Sequence, residues 1–116
     1  METEMLKRTK QFAIDCAYLT LSLVNNDINK AYRNQLIRSS SSTAANYRAS
    51  RRAKSKPDFI NKFKIVEEEL DESLFFLEML AEFNKEKKNN IIPIYKEGEE
   101  LLKIVVASIK KSRTKE

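Results

Sequence analysis

The sequence predicts an all-α protein, an antiparallel up-down-up-down four-helix bundle. The 116 residues include one glycine and two prolines, too few for the tight turns of a sheet protein. Apolar side chains recur at three- and four-residue spacing in four successive segments, which is typical of amphipathic helices. Short connections between the segments place consecutive helices side by side in opposite directions. Because a chain of this length supports a single modest core, we assign residues 1–116 to one domain.

The first two helices are predicted over residues 3–24 and 28–54, separated by an Asn-Asn-Asp run that supplies an N-cap for the second. On the apolar stripe of the first helix, Phe12 lies one turn before Cys16. A lone cysteine on such a stripe is expected to be a buried small hydrophobe rather than a nucleophile. The stripe of the second helix is apolar only in its first turns, and its middle is small and polar.

The third helix is predicted over residues 58–87, because a following proline disfavours helix at Lys56 and Pro57 suits a helix start. It carries the most continuous apolar stripe of the chain. Phe75 and Phe76 lie beside that stripe, so this helix has more apolar surface than one seam inside a bundle needs. The excess fits a subunit interface, and it fits equally a wide core helix.

The fourth helix is predicted over residues 92–111, with Pro93 in its first turn. Gly98 falls inside this helix, where glycine costs about 1 kcal/mol relative to alanine, and it therefore marks a bend or a close contact. The basic tail at 110–116 is expected to fray.

The composition argues against several classes of enzyme. The chain has no histidine, the side chain most often used for acid–base chemistry near neutral pH and a ligand in the carboxylate-bridged metal sites of bundles. Its single glycine excludes a glycine-rich phosphate loop. We therefore predict no catalytic residue, no metal site and no cofactor. No apolar run approaches the roughly 20 residues that cross a bilayer, and the N-terminus lacks a signal peptide's apolar core, so we expect a cytoplasmic protein.

Basic residues are concentrated in one part of the chain. Residues 30–64 hold ten basic residues and one acid, a net charge of +9, whereas the remaining 12 basic and 16 acidic residues give −4. We predict that a corner cluster between the second and third helices binds the phosphates of nucleic acid, through Arg48, Arg51, Arg52, Lys54, Lys56, Lys62 and Lys64. Two other interpretations fit: a solvated helix end, or a surface that meets the acidic Glu67–Glu72 stretch of a neighbouring subunit. No recognition-helix motif or aromatic ladder predicts base readout.

The middle of the second helix, QLIRSSSSTAAN at residues 35–46, carries hydroxyl and amide side chains where a bundle core usually carries leucines. Arg38 on this helix and Glu72 on the third are predicted to meet across the two helices. Such a network specifies helix register more clearly than it adds stability. Direct contact of Arg38 with RNA is the alternative. The predicted polar seam, with hydrogen bonds across the helices, comprises Gln35, Arg38, Ser39, Ser42, Thr43, Asn46 and Glu72.

This stretch also carries a resemblance to a known family. The motifs are Gln35-x-x-Arg38-Ser39, Ser42-Thr43-x-x-Asn46, a basic segment with Asp58-Phe59, and Glu72-Ser73-x-x-x-Leu77. They resemble the bacterial four-helix bundle proteins first noticed as reading frames in intervening sequences of large-subunit ribosomal RNA. That family includes the accessory variability protein of diversity-generating retroelements. The resemblance covers essentially the whole chain. It implies a ring-like homopentamer with a basic surface that contacts nucleic acid and, for the retroelement branch, a reverse transcriptase partner.

Two positions depart from the family pattern. The family usually has an acid shortly after the asparagine of the second helix, and this chain has Ala49 there. The usual Gly-Ser before the acid of the third helix is Glu68-Glu69 here. The fold implied by the resemblance is unaffected, but a role that depends on the missing carboxylate does not transfer.

Two functions from different classes fit the sequence. The first is a noncatalytic, nucleic-acid-associated homopentamer that binds RNA or DNA backbones through the corner cluster. The second is a protein-interaction scaffold, a ring whose basic surface binds another protein and has no direct nucleic-acid contact. The residues do not choose between the ribosomal and retroelement branches of the family.

Overall fold

The computed structural model describes residues 3–114. Four long α-helices and one turn of 3-10 helix fill that range, and no strand occurs within it. The α-helices are α1 (Glu4–Leu21), α2 (Asp27–Ser50), α3 (Lys56–Phe83) and α4 (Lys88–Thr114), with the 3-10 turn at Lys85–Lys87. The predicted all-α four-helix fold is confirmed. The domain and tail predictions also covered residues 1–2 and 115–116, which lie outside the described residues.

The helices pack in a closed square, each against the two that are its neighbours in the order α1, α2, α3, α4. Successive helices run in opposite directions along one long axis. The bundle is therefore elongated, and it measures 48 × 24 × 20 Å. One end, which we call the corner end, holds the α2–α3 connection together with the start of α1 and the end of α4. The opposite end holds the α1–α2 connection and the 3-10 turn.

The corner between α2 and α3 is longer than the sequence predicted. α2 ends at Ser50 rather than residue 54, and α3 begins at Lys56 rather than residue 58. The Ser55 hydroxyl oxygen accepts the Asp58 N–H at 3.2 Å and so caps α3 early. Pro57, near the start of α3, lacks only an N–H that would have no acceptor inside the helix.

The boundaries around α4 also differ from the prediction. α3 ends at Phe83, and α4 begins at Lys88, four residues before the predicted start. Pro93 is therefore inside the helix, beyond its first turn, and removes the bond that the Asn89 carbonyl would have accepted. The prediction of a frayed tail is wrong for residues 110–114, because α4 continues to Thr114. Basic side chains in its last turn interact favourably with the negative end of the helix dipole.

The hydrophobic core draws very unequally on the four helices. From α2 it receives one large apolar side chain, Leu36, and the other buried residues of that helix are polar. The buried apolar residues are Phe12, Cys16, Leu19, Leu23, Leu36, Phe63, Val66, Leu70, Leu74, Leu77, Leu80, Ile91, Leu101, Val105 and Ile109. Cys16 is fully buried, and loss of solvation raises the pKa of its thiol to about 12. The thiol is therefore protonated at neutral pH and is a poor nucleophile.

Two buried asparagines join α2 to the end of α3 at the opposite end of the bundle. The side-chain amides of Asn29 and Asn84 exchange hydrogen bonds of 2.9 and 2.7 Å. The Nδ2 of Asn29 also donates to the Val24 carbonyl, and that of Asn84 to the Leu80 carbonyl, both at 2.9 Å. Each buried amide is thus paired, which satisfies the main requirement for burying a polar group.

Gly98 lets α4 pack closely against α1 and α3. A Cβ atom at this position would lie 2.8 Å from Leu74 Cδ2 and 2.9 Å from Phe12 Cε1. Both neighbours are buried, so neither can move away easily. Of the two interpretations from the sequence, the structure therefore favours a close contact.

We predict that Gly98→Ala destabilises the bundle although alanine is the better helix former. The helix-propensity gain is about 1 kcal/mol, whereas overpacking a core typically costs 1–3 kcal/mol, so we expect a net loss of about 1 kcal/mol. Chemical denaturation followed by circular dichroism measures it. The control is Phe12→Leu in both backgrounds, because the smaller side chain makes room for the Cβ and reduces the penalty. A stability gain for Gly98→Ala alone would contradict the close contact.

Candidate nucleic-acid interface

The corner cluster is held by the end of α2, the connecting segment and the start of α3. Arg48 is in the last turn of α2, and the connection that follows makes its own turn, with Arg52 N–H donating to the Ala49 carbonyl at 3.0 Å. The side chains of Arg48, Arg51, Arg52, Lys54, Lys56 and Lys64 are all exposed. The structure therefore gathers these cations at the corner end, although three of them lie outside helices.

Asp58 organises this corner and neutralises part of its charge. Its carboxylate accepts the backbone N–H of Lys54 at 3.0 Å and lies 3.2 Å from Nζ of Lys62. These contacts, the Lys54 N–H first and the Lys62 ammonium second, lower the pKa of Asp58 below its ordinary value. Asp58 is thus a carboxylate at neutral pH, and Lys62 is the one member of the corner cluster that has a carboxylate partner among residues 3–114.

Three arginines of the cluster share a recess with the start of α1. Arg48, Arg51 and Arg52 line an open depression of about 350 Å³, with Leu6 on its other side. Arginine binds phosphate with two parallel hydrogen bonds, which makes such a group suited to an oligonucleotide backbone. Lys64 instead shares the outer face of α3 with Glu68, one turn later in the helix.

The fold adds cations to the corner end that the sequence analysis did not include. Because α4 runs antiparallel to α3, its last turns finish beside the start of α3. Lys110, Lys111 and Arg113 are exposed there, and no acidic residue occurs between 101 and 114. The signal in the sequence is the basic tail itself, but periodicity does not reveal which helix ends are neighbours.

In the polar seam, Arg38 bridges α2 and α3. Its Nη2 donates to Oε1 of Glu72 at 2.7 Å, its Nη1 to Oε2 of Glu69 at 2.9 Å, and its Nε to Oε1 of Gln35 at 3.1 Å. The Arg38 and Glu72 side chains are 47% and 46% exposed, so this is a surface ion pair rather than a buried one. Solvent screening limits what it adds to stability. It also occupies Arg38 with carboxylates rather than leaving it open to phosphate.

The hydroxyl groups of the seam bond differently from the prediction. The hydroxyls of Ser39 and Ser73 lie 2.8 Å apart between α2 and α3, in a fully buried position. The remaining bonds stay inside α2: Thr43 donates to the Ser39 carbonyl, and Asn46 donates to the carbonyl and hydroxyl oxygens of Ser42. The prediction that Ser42, Thr43 and Asn46 bond across the helices is wrong. Hydroxyl and amide side chains readily reach the carbonyl one turn earlier in their own helix, which satisfies them locally.

No grouping of histidine, cysteine and carboxylate side chains suited to a metal ion occurs among residues 3–114. Within the same residues, no helix is long and apolar enough to cross a bilayer. Every side-chain nitrogen and oxygen that is buried in this part of the chain has a hydrogen-bond partner.

Comparison with known proteins identifies the family. Residues 1–107 match the family described as 23S rRNA-intervening sequence protein. This chain belongs to that family. No curated protein matches the chain. The family predicted from the sequence motifs is thus confirmed, and the matched residues include all of those motifs.

A solved crystal structure with a similar fold supports the four-helix fold of this chain. It is the 1.70 Å crystal structure of a protein with unknown function from the S23 ribosomal protein family of Bacteroides thetaiotaomicron. The two chains are 28% identical and superpose with a TM-score of 0.82, covering 91% of this chain and 98% of the other. The solved structure therefore shares the overall fold of this chain over nearly its whole length.

We predict that Ser39→Val destabilises the bundle while Ser41→Val does not. Both changes put the same β-branched side chain into α2 at positions two residues apart, but Ser39 is fully buried against Ser73 and Ser41 is exposed. Overpacking at Ser39 should cost roughly 1–3 kcal/mol. Denaturant titration of the two variants measures the difference. Equal stability of the two variants would show that α2 does not need a small side chain at residue 39.

Proposed function

We propose that this protein is a noncatalytic homopentamer that binds RNA or DNA backbones through the corner end. The observation that carries the proposal is the convergence of the corner cluster with Lys110, Lys111 and Arg113, a group of cations that outnumbers the nearby acids Asp58 and Glu4. A surface of this charge attracts polyphosphate chains and releases their counterions on binding.

The aromatic side chains of this end favour phosphate contact over base stacking. Tyr47, Phe59 and Phe63 pack on one another, with ring centroids 5.7 Å apart for Tyr47–Phe63 and 4.4 Å apart for Phe59–Phe63. Rings that are engaged with one another in this way do not form a platform for unpaired bases. We therefore expect binding that depends strongly on salt and weakly on sequence.

A ring of five follows from the resemblance, and exposed apolar side chains give the chain a surface for it. Tyr18, Leu21 and Phe75 are 69%, 79% and 51% exposed. In a ring whose bundles run along the fivefold axis, all five corner ends lie on the same face, so one nucleic acid can contact several of them. Light scattering coupled to chromatography should give about five times the chain mass of 13.5 kDa. A monomer at micromolar concentration would refute the pentamer.

We predict that Arg51→Glu combined with Arg52→Glu lowers affinity for an RNA oligonucleotide more than tenfold. For the unmodified protein, the logarithm of the association constant should fall with the logarithm of salt concentration with a slope of roughly −3 to −7, and the variant should flatten that slope by about 1–2. Gel shift or fluorescence anisotropy across a salt series measures both. An oligonucleotide from 23S rRNA and a DNA of the same length compare the two nucleic acids.

The matched control reverses two charges at the opposite end. Lys30→Glu with Lys85→Glu changes the net charge by the same amount, and both lysines are exposed far from the corner. This variant should keep near-normal affinity. Equal losses in the two variants would mean that net charge, not the corner end, governs binding. An absence of binding even at low salt would refute nucleic-acid binding and favour the scaffold function.

We predict that Asp58→Asn strengthens binding. The amide oxygen of asparagine can still accept the Lys54 N–H, but the negative charge is gone and Lys62 loses its partner. The affinity should rise by roughly threefold to tenfold in low salt, and the salt slope should steepen by about 1. Because Asp58 has a lowered pKa, the stability it contributes is present above about pH 4 and lost on further acidification, so denaturant titration at pH 7 and pH 3 provides a second check. An unchanged salt slope would place Lys62 outside the interface.

A further inference from the structure

An open groove runs between α1 and α2 from the corner end toward the middle of the bundle. Its volume is about 770 Å³, within the range of ligand-binding pockets. In its middle both helices carry small side chains, Ala13 and Ala17 on α1 and Ser41, Ala44 and Ala45 on α2. Because these side chains are short, they do not fill the space between the two helices. We call this surface the α1–α2 groove.

Larger apolar side chains line the groove and continue beyond it. Leu6 and Ile14 belong to its wall on α1. Leu21, two turns after Ile14 on the same side of α1, is 79% exposed, and Ile37, one turn before Ser41 on α2, is 39% exposed. From Leu6 to Leu21 this apolar tract is about 22 Å long, roughly four turns of helix. Contiguous exposed apolar side chains of this kind mark an interaction surface.

The charged side chains of the groove are cations. Lys10 and Arg48 line it near the corner end, and none of its lining residues is acidic. After Asp27, α2 has no acid, and Glu4 and Asp15 of α1 lie outside the lining. Lys10 already takes part in an interaction within the chain. Arg48 has no carboxylate partner among residues 3–114, so it is the cation that a partner can pair with.

Nucleic acid suits the mouth of the groove but not its middle. The groove shares Leu6 and Arg48 with the recess of three arginines at the corner end, so a backbone bound there reaches the mouth. A strand that continued into the groove would carry its phosphates past alanines that offer no cation, and those phosphates would lose hydration without a partner. The middle of the groove therefore favours an apolar occupant.

Among apolar occupants, a helix suits the groove better than an extended peptide. The backbone N–H and C=O groups of an extended peptide need partners, and Ser41 is the one residue in the middle of the groove with a polar side chain. A helix satisfies its own backbone groups, and small side chains let it approach α1 and α2 closely. Amphipathic helices bind apolar grooves through side chains at i, i+3, i+4 and i+7 spacing.

We propose that the α1–α2 groove docks an amphipathic helix of a partner protein, with an apolar face and acidic side chains beside it. The apolar face packs on the alanines of the groove and on Ile14, Leu21 and Ile37, and a carboxylate pairs with Arg48. This inference goes beyond the proposed function, because the contact needs neither nucleic acid nor a ring.

Three labelled helical peptides of about 15 residues test the chemistry of the partner. The first carries leucines on one face and glutamates beside them, the second has lysine for every glutamate, and the third has glutamine for every leucine. Fluorescence anisotropy at low salt should show the first peptide binding the full chain at micromolar concentration, and the other two roughly tenfold more weakly or worse. No binding of the first peptide would overturn the proposal. So would equal binding of the first and third, which would show attraction to cations alone.

The site is tested by Ala45→Glu, which occupies the groove and places a carboxylate one turn before Arg48. Affinity for the glutamate peptide should fall roughly tenfold. The matched control is Ala31→Glu, because this alanine is also exposed on α2 but does not line the groove. The control should bind normally, and both variants should keep their helical circular dichroism. Equal losses in the two variants would overturn the proposal.

The charge pairing is tested by Arg48→Glu. This variant should bind the glutamate peptide more weakly and the lysine peptide more tightly than the unmodified chain does, because the sign of the rim charge is reversed. A variant that keeps the original preference for the glutamate peptide would overturn the pairing with Arg48.

The same variants identify a different occupant. A change of assembly mass in Ala45→Glu, with Ala31→Glu unaffected, would make the groove a contact between copies of this chain and overturn the proposal. An RNA affinity that falls in Ala45→Glu as far as in the variant with Arg51→Glu and Arg52→Glu would place nucleic acid in the groove and also overturn it. A chain that binds the first peptide and no RNA would support this inference while refuting the proposed function.

Discussion

The close approach of α2 to α3 at Ser39 and Ser73 is the contact on which the rest of the bundle depends. Leu36 is the one large apolar residue of α2 that is fully buried, Tyr32 and Tyr47 pack against the core from its edge, and the short side chains between them allow the two helices to come close together. The shared hydroxyl bond fixes the height of α2 against α3, and that height aligns Arg38 with Glu69 and Glu72. It also aligns Asn29 with Asn84 at the opposite end and positions the corner where the cations gather.

The helices themselves could be predicted because burial imposes a period of three to four residues on the sequence. Their ends could be predicted less well, since they depend on individual hydrogen bonds. Ser55 starts α3 before Pro57 because one hydroxyl reaches one N–H, and no periodic signal reports such a contact. Asn84 was part of a predicted helix, but its buried amide pairs with Asn29, a residue 55 positions away in the sequence. Pairing across that distance becomes visible only when the fold brings the two ends together.

The sequence likewise predicted only part of the candidate site. Charge counting identified the cluster from Arg48 to Lys64, because like charges that are close in sequence remain close in space. It did not include Lys110 or Arg113, since only the antiparallel return of α4 brings them to that end. The polar seam was recognised by residue type, yet most of its hydroxyls bond inside α2. Residue type shows that a side chain needs a hydrogen-bond partner, and it does not say whether a nearby carbonyl of the same helix already supplies one.

The reactivity of the Cys16 thiol can be used to measure how often the helical bundle opens. The thiol is fully enclosed between α1 and its neighbours, and with a pKa of about 12 it is almost entirely protonated in the closed bundle. Thiol reagents react with the exposed thiolate, so alkylation proceeds only when the bundle opens around Cys16 and the group returns to water. Because Cys16 is the single cysteine in the sequence, the labelling rate of the unaltered chain reports this opening directly, without an introduced dye. The same enclosure protects the chain from forming disulfide-linked dimers while it is folded.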